Sequence, residues 1–205
     1  MKKLFLASSF KDVVSIFANF EKDLSGKTVT FIPTASLVEK VTFYVASGKK
    51  ALQKLGLVID ELELSCSSPN EISEKIKTND FIYVTGGNTF FLLQELKRTG
   101  ADKIITGAVN SGKLYIGESA GAMITSKDIE YVKGMDSIKK APDLADYKAL
   151  ALVDFCVVPH CTNSPFKSIA QKIISNYSST LNLSPISNNE AILVNNDTTT
   201  VERNL

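Results

Sequence analysis

Apolar runs of strand length alternate with amphipathic, helix-length stretches from residue 4 to residue 117, and no other feature narrows the possible folds as far. Residues 4–7 read as a buried strand, and residues 12–24 follow with Val13, Phe17 and Phe20 on one helical face before Ser25-Gly26 ends the helix. The alternation repeats with a strand at 27–33, a helix at 39–55 closed by Gly56, and a strand at 57–64. Ser68-Pro69 then opens a helix that runs to Lys77. A strand at 81–85, a glycine turn, helices at 89–98 and 101–111, and a strand at 113–117 complete this part. Strands alternating with helices build a parallel sheet, whose strands are apolar because both faces are covered. The expected fold is therefore α/β, with three layers: a mostly parallel sheet and helices on both faces.

Past residue 117 the rhythm loosens. Residues 125–146 are polar, charged and without clear period, which predicts a long, partly ordered loop beside the site. Order resumes with a strand at 153–159, a helix at 165–177 and strands at 181–186 and 191–194. No repeat, low-complexity tract or linker divides the 205 residues, so one domain spanning 1–205 is expected.

Charge and composition exclude several classes of partner. The 23 Lys and Arg nearly cancel the 22 Asp and Glu, which leaves no electrostatic footprint for nucleic acid or an anionic membrane. A small molecule is the expected partner, and a monomer or small homo-oligomer the expected state. The apolar stretch within residues 1–9 is too short for a secretion signal and lacks a cleavage motif. No run approaches the roughly 20 apolar residues that cross a bilayer. Cys66, Cys156 and Cys161 form neither a CxxC motif nor an even set, so the chain is expected in the cytoplasm.

The segment Gly117-Glu118-Ser119-Ala120-Gly121 follows an apolar strand and precedes a helical start. A nucleophile on a tight strand-to-helix turn needs small neighbours, because the backbone is strained and other chain passes close by. Ser119 is the candidate nucleophile; the alternative is a tight turn whose serine merely caps the next helix. A hydroxyl needs a base to remove its proton near neutral pH. The chain has one histidine, His160, at the end of the strand that contains Val157-Val158-Pro159. One histidine without HxH, HxxxH or CxxC spacing argues against a metal site. Asp136, between nucleophile and base, is the candidate for the acid that orients the imidazole, with Asp128, Glu130 and Asp143 in the same loop. Oxyanion stabilisation needs converging N–H donors, which Gly87 in Thr85-Gly86-Gly87-Asn88-Thr89 and Ala120 after the nucleophile can supply.

Taken in order, Thr85-Gly86-Gly87-Asn88-Thr89-Phe90, Ile116-Gly117-Glu118-Ser119-Ala120-Gly121-Ala122 and Pro159-His160-Cys161-Thr162-Asn163 resemble the peptidase E (α-aspartyl dipeptidase) and cyanophycinase family of serine peptidases. The resemblance covers most of the chain. It implies a fold similar to class I glutamine amidotransferases, with serine in place of cysteine at the elbow. It makes Ser119 the nucleophile, His160 the base, and the Gly87 and Ala120 amides the oxyanion hole. It also implies substrate contacts at Asn88, Thr162 and Asn163, and an acid between serine and histidine: Asp136 by position, with Glu130 as the alternative because some relatives use glutamate. No cofactor or metal is implied. Aspartyl dipeptidases carry an arginine downstream of the His160 segment, and here residues 164–172 have none. The resemblance therefore stops short of a strict preference for amino-terminal aspartate; Lys167 and Lys172 are read as solvated helix charges, since lysine lacks the bidentate fork of arginine.

The expected activity is hydrolysis of short peptides through an acyl-enzyme. Two rivals share these residues: an esterase or amidase acting on non-peptide substrates, and a catalytically silent binding protein of the same fold.

Overall fold

Seven strands form one sheet in the order β3-β2-β4-β5-β1-β8-β9 in the computed structural model, which describes residues 2–204. The strands are β1 (Lys3–Ala7), β2 (Thr28–Ile32), β3 (Val58–Glu61), β4 (Phe81–Val84), β5 (Leu114–Glu118), β8 (Glu190–Asn195) and β9 (Thr198–Arg203). β1 to β5 pair in parallel, and β8 and β9 join the β1 side as an antiparallel hairpin. A separate parallel pair, β6 (Cys156–Val158) and β7 (Leu183–Pro185), lies outside this sheet. The helices are α1 (Val14–Phe20), α2 (Phe43–Lys54), α3 (Pro69–Thr78), α4 (Thr89–Thr99), α5 (Ala101–Asn110), α6 (Ala120–Met123) and α7 (Lys167–Tyr177).

Strand periodicity divides the interior into two cores. Leu4, Leu6, Ile32, Ile82, Val84 and Tyr115 face a large cluster with residues of α3, α4, α5, α6 and α7. Phe5, Ala7, Phe31, Tyr83 and Ile116 face the other way, onto α1 and α2. Successive side chains of a strand point to opposite faces, so apolar residues at every position require cover on both sides. The expected α/β architecture, with a mostly parallel sheet and helices on both faces, is what forms.

Register carries three strand ends to one place. Ala7 pairs with Glu118, and Val84 with Gly117, so the carboxyl ends of β1, β4 and β5 lie side by side. Loops leaving adjacent parallel strand ends are where α/β sheets assemble their sites.

Two stretches differ from expectation. Residues 125–146 are packed rather than partly ordered: 3-10 turns at Glu130–Gly134 and Ile138–Lys140 bury Tyr131 and Val132, and the Tyr131 hydroxyl donates to the Val157 carbonyl at 2.8 Å. Backbone bonds from Ile129 N–H to Tyr147 O and from Leu150 N–H to Ile124 O tie the segment down. Short 3-10 turns give neither helical nor strand period, which hides such order from a pattern reading. β9 was also unforeseen; it is exposed along its length, so its Thr198-Thr199-Thr200-Val201 run carries no alternation of apolar and polar residues.

Candidate active site

Ser119 stands in the turn between β5 and α6 with φ 49° and ψ −104°, a conformation that costs a non-glycine residue about 1–3 kcal/mol. The flanking glycines permit it by what they lack. A β-carbon on Gly117 would lie 2.4 Å from the Gly121 carbonyl oxygen, and one on Gly121 would lie 2.2 Å from that of Val84. Ser119 N–H donates to the Ala7 carbonyl at 2.8 Å, which fixes the turn to the end of β1. α6 has only four residues, so it contributes individual amides rather than the field of a long helix.

His160 lies across from Ser119, its Nε2 3.1 Å from the serine Oγ. Its Nδ1 is 2.7 Å from Oδ1 of Asn188, on the turn between β7 and β8. An Nδ1–H that donates to this amide oxygen leaves the Nε2 lone pair facing the serine hydroxyl, which is the tautomer a general base requires. Burial lowers the imidazole pKa and so favours the neutral ring, opposed by the bond to Asn188. Phe166 stacks on the ring at 5.1 Å between centroids. His160 also has positive φ, 59°, and its N–H donates to the Ser8 hydroxyl at 3.0 Å.

The Asn188 turn has its own supports. Asn163 Oδ1 accepts the Asn188 N–H at 2.9 Å and the Thr162 hydroxyl at 3.1 Å. Thr162 and Asn163, expected at the substrate, are thus engaged with each other and with the residue bonded to the His160 ring, and neither lines the cavity.

Gly87 has φ 137°, and a β-carbon there would lie 2.1 Å from the Ala35 carbonyl oxygen, so only glycine fits. Among the described residues neither the Gly87 nor the Ala120 N–H meets an acceptor. Gly87 lines the same cavity as Ser119, and Ala120 follows Ser119 directly in the chain. Asn88 caps α4, accepting the Phe91 N–H at 2.9 Å, and its amide donates to the Ser137 carbonyl at 3.2 Å. It lines the cavity, as expected of a substrate contact, but both ends of its side chain are already bonded.

Asp136 does not touch the imidazole. Its Oδ2 accepts the Thr89 N–H at 2.8 Å and the Thr89 hydroxyl at 2.6 Å, so it sits on the first turn of α4 and the ring's partner is Asn188 instead. Burial raises the Asp136 pKa to about 6 against the effect of these bonds. Glu130, the alternative, forms an exposed pair with Lys133. No motif marks Asn188: Ser187-Asn188-Asn189 between two strands reads as an ordinary turn, and only the fold brings it to the ring.

Glu118, beside the nucleophile, is buried with both oxygens used, Oε1 by the Phe10 N–H at 2.9 Å and Oε2 by the Tyr83 hydroxyl at 2.8 Å. Burial pushes its pKa up to about 7. Ser119 and His160 open into a cavity of about 620 Å³ with Tyr44, Met135, Pro165 and Phe166 in its wall. Its acids are Asp12, Glu39, Glu118 and Asp136; its cations are Lys11 and Lys140, and Lys140 is paired with Glu39 at 2.7 Å.

Residues 4–202 match the family model described as Peptidase family S51. An uncharacterized peptidase of Listeria innocua is 63% identical over 197 residues, covering 96% of this chain and 94% of that protein. Peptidase E of Haemophilus influenzae is 32% identical over 168 residues, covering 78% of this chain and 73% of its own. The crystal structure of a proposed peptidase E protein from Listeria monocytogenes EGD-e is similar over the whole of both chains, with a TM-score of 0.97 at 60% identity.

Proposed function

The chain belongs to peptidase family S51 and is a serine-type peptidase, and on that premise we propose that it hydrolyses short peptides through Ser119, His160 and an acyl-enzyme. The observation that carries this reading is the continuous path Ser119 Oγ to His160 Nε2 and His160 Nδ1 to Asn188 Oδ1, at 3.1 and 2.7 Å. Ser119 Oγ attacks the scissile carbonyl while Nε2 takes its proton. The oxyanion forms against the Gly87 and Ala120 amides. Nε2 then returns the proton to the leaving amine, and a water attacks the acyl-enzyme by the same route in reverse.

Asn188 gives this centre a neutral orienting group. Like the asparagine of Cys-His-Asn proteases, it fixes the tautomer without placing a full charge against the imidazolium. The surplus of acids over unpaired lysines in the cavity supports a preference for peptides other than those beginning with aspartate. The turn geometry at Ser119 supports grouping the single domain with the class I glutamine amidotransferase-like folds. Three unpaired cysteines support a cytoplasmic setting.

Ser119→Ala is expected to lower turnover of a dipeptide panel by about 10⁴- to 10⁶-fold with an unchanged melting temperature. Labelling of Ser119 by a fluorophosphonate in the wild type is the companion measurement. An active Ser119→Ala protein sinks the reading, and hydrolysis of p-nitrophenyl esters without any dipeptide moves it to the esterase rival.

A further inference from the structure

We infer that Ser8 is a positioning residue for this reaction: with Ala7 it forms a strap at the end of β1 that holds the base at its working distance from the nucleophile. The inference rests on the reading of His160 as the base. Consecutive residues reach the two sides of the site. The Ala7 carbonyl accepts the Ser119 N–H at 2.8 Å, and the Ser8 hydroxyl accepts the His160 N–H at 3.0 Å. The spacing between nucleophile and base is thereby referred to one rigid peptide unit at the end of a central strand.

Ser8 does a second thing with the same atom. Its hydroxyl hydrogen goes to the Ile186 carbonyl at 3.1 Å, two residues before Asn188. That carbonyl also accepts the Cys161 N–H at 3.1 Å, and the Ile186 N–H donates to Val158 at 3.0 Å, so the segments of His160 and Asn188 move as a unit. Ser8 joins that unit to β1. At 2% exposed it is largely screened from solvent, so loss of either bond leaves a buried polar group without its partner. His160 is held at positive φ, a conformation that persists only where its surroundings enforce it, and its own N–H is one of the groups Ser8 binds.

Ser8→Ala removes both bonds while keeping the β-carbon. Misplacing a catalytic group by a fraction of an ångström to an ångström costs up to about 100-fold, so kcat is expected to fall by about 10- to 100-fold with KM within about twofold. The second readout needs no substrate: His160 is the only histidine, so its ring resonances are assigned without ambiguity. In the wild type the Nδ1 proton, bonded to Asn188, is expected downfield and slow to exchange; in Ser8→Ala it is expected to broaden and exchange faster. Wild-type kcat in a folded Ser8→Ala protein overturns the inference. So does an unaltered imidazole spectrum, and so does a rise in KM at constant kcat, which would make Ser8 a substrate contact. If Ser8→Ala does not fold, Ser8→Cys is judged by the same three measurements. Failure of fluorophosphonate to label wild-type Ser119 would remove the proposed reaction but leave the imidazole readout to decide on Ser8.

Discussion

The turn at Ser119 is shaped by the glycines beside it in the chain, whereas His160 is held by side chains from two distant segments, at Ser8 and Asn188. On the nucleophile side, Gly117 and Gly121 let β5, α6 and β4 approach within distances no β-carbon would allow, and the strained turn follows from that contact. At His160, Ser8 and Asn188 each contribute a hydrogen bond across the fold, and Asn163 in turn holds the Asn188 N–H. The first plan depends on the absence of atoms and tolerates no addition. The second depends on polar atoms being present and fails by degrees as they are removed.

The sharpest break of this contrast is Gly121→Ala. Its β-carbon would meet the Val84 carbonyl oxygen at 2.2 Å, and overpacking of that kind costs about 1–3 kcal/mol or more, so a lower melting temperature and loss of turnover are expected together. On the base side, Asn188→Ala should leave the melting temperature within a few degrees but lower kcat by about 10- to 100-fold, since a freed imidazole samples other tautomers and orientations. An Asn188→Ala enzyme of full activity would dissolve the distinction. The pH profile comes next. Burial holds the His160 pKa below the ordinary 6.5, and activity needs the neutral ring, so the acid limb of kcat/KM is expected below pH 6.5. Asn188→Asp should move that limb upward by stabilising the imidazolium.

A further effect falls on stability rather than on turnover. Glu118 titrates at about 7 in the folded chain against 4.5 ordinarily. The folded state therefore binds the extra proton between those values, and stability falls as pH rises through that window, by roughly 3 kcal/mol. Glu118→Gln should flatten this dependence while keeping the acid limb of activity, because that limb belongs to His160. Melting curves at pH 4.5 and 8 in the two proteins measure it.

The same contrast governs how far residues alone could be read. The sheet is visible in the sequence because its strands are apolar on both faces, and the strand-to-helix turn at Ser119 because glycine, serine and glycine are spaced within five positions. His160 was found by being the sole histidine rather than by its surroundings. Its partner was not found. Asp136 has the right position in the chain and the right chemistry, yet Thr89 offers it two donors at the start of α4, and a buried carboxylate goes where its bonds are satisfied. Asn188 lies 28 residues beyond His160 in what reads as a connecting turn, and the meeting of the two depends on β7 and β8 being placed beside β6 and β1. The family resemblance implies substrate contacts at Thr162 and Asn163; their bonds run toward the Asn188 turn instead.

The turn at Ser119 has a consequence for what such a protein could become. Its shape is set by β-carbons missing at Gly117 and Gly121, not by the side chain at 119, whose backbone is bound to Ala7 through its amide. Position 119 is thus a socket whose form is independent of its occupant. Cysteine or alanine could stand there without disturbing the sheet, so a descendant could change its chemistry, or abandon it for binding alone, in a single substitution and with no refolding. The glycines, which take part in no chemical step, are the residues such a lineage could not exchange.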